Sequence, residues 1–419
     1  MCGIAGFVDR SLGGEQARVV LAAMARAIRH RGPDGEGIWF DAQLGTGLAH
    51  RRLSILDLSE AGAQPMTSAS GRFVITFNGE IYNHGDLRRE LLSHDPQLSF
   101  RGHSDTEVFL AACEAWGVGR ALARANGMFA MGLVDRETRQ LHLMRDRIGE
   151  KPLYFGNVGG GNAGARLLFG SELKALRAHP AWQGALDFDA LAAYFRYGHV
   201  PAPHSIHAGI GQLLPGEWVT VELAAGEELR IERRPYWSAA EVIRRGVAHP
   251  LRIGDAGAVR DLEVLLEDAV RLRMEADVPL GAFLSGGVDS SLVVALMQRN
   301  SAARVRTFSI GFADEKFDEA PAARAVAKHL GTDHTELYVS PQQSLDVIPQ
   351  LAHIYDEPFA DSSQIPTFLV SQLARQHVTV SLSGDGGDEL FGGYGRYEQA
   401  LNIWRGVDAV RLRMEADVP

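Results

Sequence analysis

The pattern of apolar residues changes about halfway along the 419-residue chain, and this change strongly constrains the fold. From Gly3 to about Leu213, short β-like runs alternate with Gly and Asn turns, which is typical of a largely antiparallel β core. After residue 240 the order becomes helix, strand, Gly-rich turn and helix, which indicates a parallel sheet in an α/β layer. Because the length also exceeds that of one ordinary core, the sequence predicts two domains, α+β and then α/β.

Helices flank the predicted strands of the first half. Ala17, Leu21 and Met24 recur at helical spacing, and Val108 and Leu110 belong to a second, less regular pattern. Sheets enclosed by helices are therefore expected. The connector between the two halves is placed at residues 214–240, where Pro, Gly and mixed charge follow one another.

Composition excludes several classes of protein. The net charge is -10 and no Lys/Arg stripe is present, so a nucleic-acid partner is not expected. Only Cys2 and Cys113 occur, which excludes a disulfide framework and favours a reducing, cytoplasmic compartment. No run of 18 apolar residues and no signal segment is found, so no membrane partner is expected.

Cys113 is interpreted as a buried small apolar residue. His30, His50 and His103 lack metal-ligand spacing and are assigned structural or loop roles.

Cys2 is the strongest candidate nucleophile. Removal of Met1 would place a thiol and a free α-amino group on one residue, and the neutral amine could accept the thiol proton. The alternative is a small residue that happens to follow the initiator Met, and this is the more common case for an isolated cysteine.

Three further segments suggest a site for a free amino acid. Asn78 and Gly79 follow a predicted strand and could offer oxyanion-hole donors, although Asn-Gly alone is usually a hairpin turn. Arg52 could grip a carboxylate, and Asp105 could accept an ammonium group. Both of these residues also have a structural alternative. Arg52 could form a surface salt bridge, and Ser104 or Asp105 could be a helix N-cap.

Four motifs together resemble the glutaminase domain of class II glutamine amidotransferases. They are MCGI at residue 1, RHRGPDG at residue 29, NGEIYNH at residue 78 and GEKPLY at residue 149. The resemblance implies an Ntn-hydrolase fold, a four-layer αββα sandwich over residues 2–213, with Cys2 as nucleophile and Asn78 and Gly79 as the oxyanion hole. It also implies a glutamine pocket formed by Arg52, Leu53, Ser54, Ile55, Leu56, Asn78, Gly79, Glu80 and Asp105.

The second half carries two Gly-rich loops. The loop Ser285-Gly286-Gly287-Val288-Asp289-Ser290-Ser291 lies between a predicted strand and helix, where backbone N–H groups can converge on a pyrophosphate. No Gly-Lys-Ser/Thr is present, so this is not a P-loop. The loop that begins at Ser383 concentrates three carboxylates among glycines, which indicates Mg²⁺ beside phosphates unless it is only a solvated acidic turn.

This half resembles the synthetase domain of the asparagine synthetase family, an ATP-pyrophosphatase fold of the adenine nucleotide alpha hydrolase type. The resemblance covers residues 241–407 and implies ATP as substrate and Mg²⁺ as cofactor. ATP contacts are expected at Leu284, Ser285, Gly286, Gly287, Asp289, Ser290, Ser291, Ile310, Ser383 and Gly384. Asp385 is expected near the acyl adenylate, and Asp289 and Asp388 are assigned to the metal.

The resulting hypothesis is glutamine-dependent amidation of aspartate through an aspartyl adenylate. One alternative keeps the chemistry but uses another carboxylate, on a surface polysaccharide or a secondary metabolite. A second alternative is a chain that retains only glutaminase activity. The oligomeric state stays open, with a homodimer as one option.

The last twelve residues, 408–419, repeat residues 268–279 without a change. Since divergent repeats do not retain identical strings, we expect an artefact of assembly or recombination in place of the natural continuation. The α/β domain is therefore expected to be incomplete at its C-terminus. Family members usually continue and supply a lysine near the phosphates, whereas no Lys follows Lys328 here.

Overall fold

The computed structural model describes residues 1–158, 166–223 and 229–416. The chain forms two compact units. The larger contains Met1–Asp261, Glu275–Val278 and Asp346–Gln364, and the smaller contains Leu262–Met274, Pro279–Leu345 and Ile365–Pro419. Within the described ranges, no helix has both the length and the apolar character needed to cross a membrane.

Two antiparallel sheets, each with six strands in the described part of the chain, lie at the centre of the larger unit. The strands of the first sheet are β1 (Gly3–Val8), β2 (Gly35–Asp41), β3 (Thr46–Arg52), β8 (Tyr154–Asn157), β9 (Leu167–Gly170) and β10 (Ile210–Gln212). Those of the second are β4 (Met66–Thr67), β5 (Phe73–Ile81), β6 (Gly127–Asp135), β7 (Gln140–Arg145), β11 (Glu217–Glu222) and β12 (Ile231–Pro235). Their orders are β10-β8-β9-β1-β3-β2 and β12-β11-β7-β6-β5-β4.

Helices pack on the outer faces of the sheets: α1 (Gly14–Ala27), α2 (His84–His94), α3 (Asp105–Trp116), α4 (Val118–Arg124), α5 (Leu173–Arg177) and α6 (Phe188–Tyr197). The helix that follows β12, α7 (Ala239–Ala248), buries none of its residues. The predicted helical pattern is confirmed in α1, where Ala17, Leu21 and Met24 are buried. Cys113 is buried in α3, as expected.

Side-chain alternation along β1 sends its residues into two different cores. Ile4 and Val8 pack between the two sheets, whereas Ala5 and Phe7 pack against Leu21 of α1. A third core joins the opposite face of the second sheet to α2 and α3, since Phe73, Ile75 and Phe77 of β5 pack there with Leu91 and Val108. The layers are helix, sheet, sheet and helix, so the predicted αββα sandwich is confirmed.

Asn78 and Gly79 lie within β5, not after it. The strand continues to Ile81 because β6 pairs with it along its whole length, with Asn78 opposite Ala130 and Gly79 opposite Phe129. The expectation that these two residues follow a strand was therefore wrong, and so was the hairpin-turn alternative. Pairing with a distant strand outweighs the local turn preference of Asn-Gly.

Residues 214–240, expected to form a connector, contain two paired strands. β11 pairs with β7 and β12 pairs with β11, so β12 is an edge strand of the second sheet and β11 lies next to it. Trp218, Val219 and Val221 of β11 are buried. Pro215 and Gly216 form a turn just before β11. Because of this turn signal, the sequence predicts a connector here and not a strand.

The smaller unit contains the predicted parallel sheet, with order β15-β14-β13-β16. Its core joins Ala282 of the sheet to Val294, Met297 and Ala323 of the flanking helices. The elements from residue 255 onward are α8 (Asp255–Arg273), β13 (Leu280–Phe283), α9 (Val288–Arg299), β14 (Arg306–Phe312), α10 (Ala320–Leu330), β15 (Asp333–Val339), α11 (Pro341–Ile354), α12 (Gln364–Ala374), β16 (Val380–Leu382), α13 (Gly387–Phe391) and α14 (Gly395–Ala416).

The repeated twelve residues fall at the end of α14. Residues 408–416 continue that helix, and residues 417–419 lie outside the described residues.

Candidate active site

Cys2 lies at one end of the first sheet. It directly precedes β1, whose register pairs Gly3 with Arg51, so Cys2 and Arg52 meet at the same end of their strands. The RHRGPDG motif fixes this end, because Arg31 Nε donates to the carbonyl oxygen of Cys2 at 2.9 Å. Asp34 of the same motif accepts the backbone N–H of Ser54 at 2.9 Å.

The Cys2 thiol contacts the backbone of Leu53. Its Sγ is 3.4 Å from the Leu53 nitrogen and 3.5 Å from the Leu53 oxygen. Burial raises the pKa of the thiol, while the Leu53 N–H, the N-terminal charge and Arg52 act in the opposite direction. Because the net shift is upward, the resting group is the neutral thiol, which needs a base before it can attack.

Asn78 presents a buried amide to the same pocket as Cys2. The residue is 1% exposed, and neither Nδ2 nor Oδ1 has a hydrogen-bond partner among the described residues. Buried amides are almost always paired, so an unpaired one that lines a pocket indicates a ligand. Gly79 beside it allows the close approach of β6, because a Cβ at Gly79 would overlap the carbonyl oxygen of Met128.

Asp105 supplies a buried carboxylate at the first turn of α3. It accepts the backbone N–H groups of Ile81 at 2.7 Å and Thr106 at 2.8 Å. Burial is the largest effect on this carboxyl and raises its pKa. Ser104 takes the N-cap role, since its hydroxyl accepts the Glu107 N–H at 3.3 Å. Asp105 is thereby left to face the pocket.

Arg52 shapes the wall of this pocket. One terminal nitrogen donates to the Ser59 carbonyl at 2.9 Å and the other donates to the Asp57 carbonyl. The pocket is partly open to solvent, and its walls combine apolar side chains with the polar groups of Cys2, Asn78 and Asp105. Its lining includes the expected nucleophile, Cys2, and all the expected glutamine-pocket residues except Ser54: Arg52, Leu53, Ile55, Leu56, Asn78, Gly79, Glu80 and Asp105.

Lys151 of the GEKPLY motif also lines the pocket, and the sequence motif by itself gives it no role there. Its Nζ lies 3.2 Å from Met1 Sδ, and the residue is 6% exposed. Burial lowers the pKa of this ammonium group, against the opposing charges of Glu150 and Glu80. The sequence alone does not indicate that Lys151 lies beside the Met1 side chain, because the two residues are 150 positions apart.

In the smaller unit, the segment Ser285–Ser291 follows β13, as predicted, and its last four residues form the first turn of α9. The Ser285 and Ser290 hydroxyl groups lie 2.9 Å apart, and Gly287 N–H donates to Ser285 Oγ at 3.2 Å. Gly286 has φ 84°, in the left-handed region, and a Cβ there would lie 2.7 Å from the Ala323 nitrogen. Glycine is therefore required for this turn, which leads directly into the N-terminus of α9.

The loop after β16 meets the Ser285–Ser291 loop at Asp289. A Cβ on Gly384 would lie 2.7 Å from the Ser290 nitrogen and 3.0 Å from Asp289 Cβ, and one on Gly387 would lie 2.6 Å from Asp289 Oδ2. The backbones of the two loops are therefore in close contact. β13 and β16 are parallel neighbours, so their carboxyl ends bring the loops to one edge of the sheet.

The other residues expected at the nucleotide site differ in burial and in their contacts. Leu284 is buried in the apolar core, and Ile310 lies half-buried on β14. Asp385 accepts a 2.9 Å hydrogen bond from Ser383 Oγ, and the Asp388 carboxylate packs against Gly393. Among the described residues, no group of three or more His, Cys, Asp or Glu side chains is arranged to hold a metal ion.

Two family models match the chain. A glutamine amidotransferase domain matches residues 1–237, and an asparagine synthase domain matches residues 261–419. The first match covers the larger unit up to β12, and the second covers both Gly-rich loops.

Curated relatives match along nearly the whole chain. Asparagine synthetase [glutamine-hydrolyzing] 1 of Bacillus subtilis is 33% identical over 405 residues, which cover 96% of this chain and 60% of that protein. A relative from Methanocaldococcus jannaschii, also named for glutamine-hydrolyzing asparagine synthesis, is 36% identical over 413 residues, which cover 94% of this chain and 76% of that protein. Among solved structures, glutamine phosphoribosylpyrophosphate amidotransferase from B. subtilis has 16% identity and a TM-score of 0.39, over 82% of this chain and 70% of that chain.

The chain thus spans 60% and 76% of the lengths of these two curated relatives. Both domains of the family are matched in order, and the Cys2 pocket and the paired Gly-rich loops lie in the corresponding ranges. This chain belongs to the glutamine-hydrolysing asparagine synthetase family.

Proposed function

We propose that this protein makes asparagine from aspartate, with ammonia taken from glutamine and activation by ATP. The observation that carries the proposal is a pocket lined both by Cys2 and by Asn78, whose buried amide has no partner among the described residues. The family membership supports the choice of glutamine as donor and aspartate as acceptor.

The glutaminase step begins once Met1 is removed. The neutral α-amine of Cys2 takes the thiol proton, and the sulfur attacks the side-chain carboxamide carbon of glutamine. Asn78 Nδ2 and the Gly79 N–H would stabilise the negative oxygen of the tetrahedral intermediate. The C–N bond breaks, the nitrogen leaves with the transferred proton as ammonia, and water then hydrolyses the thioester to glutamate.

Substrate recognition follows from the charges of the pocket. Asp105 is held by two backbone N–H groups and would accept the α-ammonium group of glutamine. Arg52 would attract the α-carboxylate, and its hydrogen bonds to the carbonyls of Asp57 and Ser59 hold it at the rim. The neutral carboxamide then points toward Cys2 and Asn78.

The synthetase step uses the two Gly-rich loops. A carboxylate oxygen of aspartate attacks the α-phosphorus of ATP, pyrophosphate leaves, and ammonia then displaces AMP from the acyl carbon. Ser285, Gly287 and the N-terminus of α9 would bind the departing pyrophosphate.

Mg²⁺ is the cofactor that this chemistry would use. The ion commonly takes one or two protein carboxylates and completes its shell with phosphate oxygens and water. Asp289, at the point where the two loops meet, fits that mode. Asp388 is the second candidate ligand. When bound, the ion would neutralise phosphate charge.

The test of the proposal has two assays on the full chain. Glutamate release from glutamine should be observed and should be lost in Cys2→Ala, while Cys113→Ser should retain it because that thiol is buried away from the pocket. With ATP, aspartate and Mg²⁺, the synthetase reaction would give AMP, pyrophosphate and asparagine in equal amounts. Undiminished glutamate release from Cys2→Ala would overturn the assignment of the nucleophile, and pyrophosphate release without aspartate would overturn that of the acceptor.

A further inference from the structure

A four-residue segment from the second half of the chain belongs to the glutaminase unit. Residues Glu275–Val278, here called the strap, lie in the larger unit, although Met274 and Pro279 on either side belong to the smaller one. The strap is outside the range that matches the amidotransferase model and inside the asparagine synthase range. It contacts residues that border the glutamine pocket.

Asp277 makes three of these contacts. Its backbone N–H donates to the Ile55 carbonyl at 2.9 Å. Its Oδ2 accepts the Asp57 N–H at 2.7 Å and lies 2.7 Å from His103 Nε2. Ile55 lines the pocket, and residues 53–62, here called the pocket loop, run past it. Asp277 thus contacts this loop with both its backbone and its carboxylate.

Asp57 is the residue of the pocket loop on which these contacts converge. It is buried and has φ 56°, in the left-handed region, which a non-glycine residue adopts mainly when its surroundings hold it there. Its carboxylate accepts the N–H groups of Ser59 at 3.1 Å and His103 at 2.9 Å. Its carbonyl accepts a hydrogen bond from Arg52, so the conformation of Asp57 also fixes the guanidinium at the pocket wall.

A second contact runs from the strap toward Asp105. Glu275 Oε1 lies 3.4 Å from Nε2 of the buried His84. His84 Nδ1 lies 3.0 Å from the Ile81 carbonyl, and the Ile81 N–H donates to Asp105. The strap is therefore linked to both candidate recognition groups of the pocket, to Arg52 through Asp57 and to Asp105 through His84 and Ile81.

We propose that Asp277 is a positioning residue for glutamine binding, which holds the pocket loop and Arg52 in their binding geometry from outside the amidotransferase range. The inference rests on the proposed glutaminase function. It deepens that function, because part of the glutamine site is then supplied by the synthetase half of the sequence.

The charge state of the His103–Asp277 pair gives this role a pH dependence. The hydrogen bond that His103 donates to Asp277 raises the pKa of His103, helped by the Asp57 carboxylate at 3.8 Å and opposed by Arg88. The same bond lowers the pKa of Asp277, with the Asp57 N–H adding to the effect and the Asp57 carboxylate opposing it. The ion pair is therefore formed below the raised pKa of His103 and is lost as pH rises through that pKa.

The experiment compares the full chain with Asp277→Asn, His103→Gln and Asp277→Glu. Glu241→Gln serves as the control, because Glu241 pairs with Arg244 on an exposed face of α7. Hydrogen exchange of the pocket-loop amides is measured without glutamine, and kcat and KM for glutamine are measured between pH 6 and 9.

In Asp277→Asn we expect the pocket-loop amides to exchange about ten-fold faster and KM to rise about ten-fold, with kcat changed less than about two-fold, since a charge-assisted contact is lost away from the reacting atoms. His103→Gln should remove the rise of KM at high pH, and Asp277→Glu should restore part of the binding. Glu241→Gln should match the unaltered chain.

Unchanged loop exchange in Asp277→Asn would overturn the proposal, as would a fall in kcat with KM unaltered. If the unaltered chain released no glutamate at all, the proposed function would fail. The exchange measurement would still decide whether Asp277 holds the loop.

Discussion

Arg31 forms a 2.7 Å ion pair with Glu172 while its Nε holds the carbonyl of Cys2. Glu172 also binds His30 at 3.0 Å and Lys174 at 2.7 Å, so three basic groups converge on one carboxylate. Burial would raise the pKa of Glu172, but the hydrogen bond from His30 and the charge of Arg31 lower it to about 2. The carboxylate therefore stays ionised and keeps the residue that orients the nucleophile in place.

Arg31→Lys is expected to lower kcat/KM for glutamine about 100-fold, because a small displacement of the nucleophile is costly. Lysine keeps the charge toward Glu172 but cannot reproduce the fixed fork of the guanidinium. Steady-state glutamate release measures the effect. Arg29→Lys, in the same turn but exposed, is the control. Equal activity of the two variants would mean that Arg31 does not orient Cys2.

Asn78→Ala is expected to lower kcat about 10² to 10³-fold, with KM for glutamine little changed, as for loss of one oxyanion donor. Its melting temperature should not fall, because the amide has no partner to lose among the described residues. Thr76→Val is the matched control two residues earlier. Thr76 donates to the Ala49 carbonyl at 3.1 Å, so this variant should melt lower and retain kcat. The reverse pattern would make Asn78 a structural residue.

Local patterns predicted the layers of the fold. Successive residues of β1 bury their side chains on opposite faces, as Ile4 and Phe7 do. In α1, Leu21 and Met24 are buried on the same face. These two spacings are visible in the sequence because each reflects which side of an element is buried. Likewise, the short apolar strand before Ser285 and the apolar helix after it predicted the strand–turn–helix unit of the nucleotide loop.

Contacts between distant segments could not be predicted. Asn78 and Gly79 are strand residues only because β6 pairs with them, and β11 is stabilised by β7. His103 and Asp277 are 174 positions apart, and neither lies in a motif that indicates the other. These relationships depend on tertiary pairing, which leaves no periodic signal in the sequence.

His142 should make stability depend on pH. The Trp218 indole N–H donates to His142 Nδ1 at 3.2 Å, so that nitrogen must be unprotonated, and burial lowers the pKa of His142 to about 4. Between about pH 6.5 and 4 the unfolded chain binds the extra proton and the folded chain does not. The free energy of unfolding therefore falls as pH falls through this range, by roughly 2 kcal/mol from pH 7 to 5 for this group.

Urea unfolding at pH 7 and pH 5, followed by tryptophan fluorescence, measures this loss. His142→Gln keeps an acceptor for Trp218 but does not titrate, so its loss of stability over the same interval should be smaller. An equal loss in both proteins would show that His142 is not responsible.

Gly384→Ala should separate the two chemical steps. A Cβ at this position would lie 2.7 Å from the Ser290 nitrogen, so one of the two nucleotide loops must shift. Because the phosphates would be bound by the backbone of these loops, we expect ATP affinity to fall at least about ten-fold, a loss of one phosphate-loop hydrogen bond or more. Glutamate release without ATP should be unchanged, since Gly384 belongs to the smaller unit.

Gly395→Ala is the control, because its Cβ would meet nothing within 4 Å. Titration of both variants with ATP decides the matter, and unchanged affinity in Gly384→Ala would place the nucleotide elsewhere.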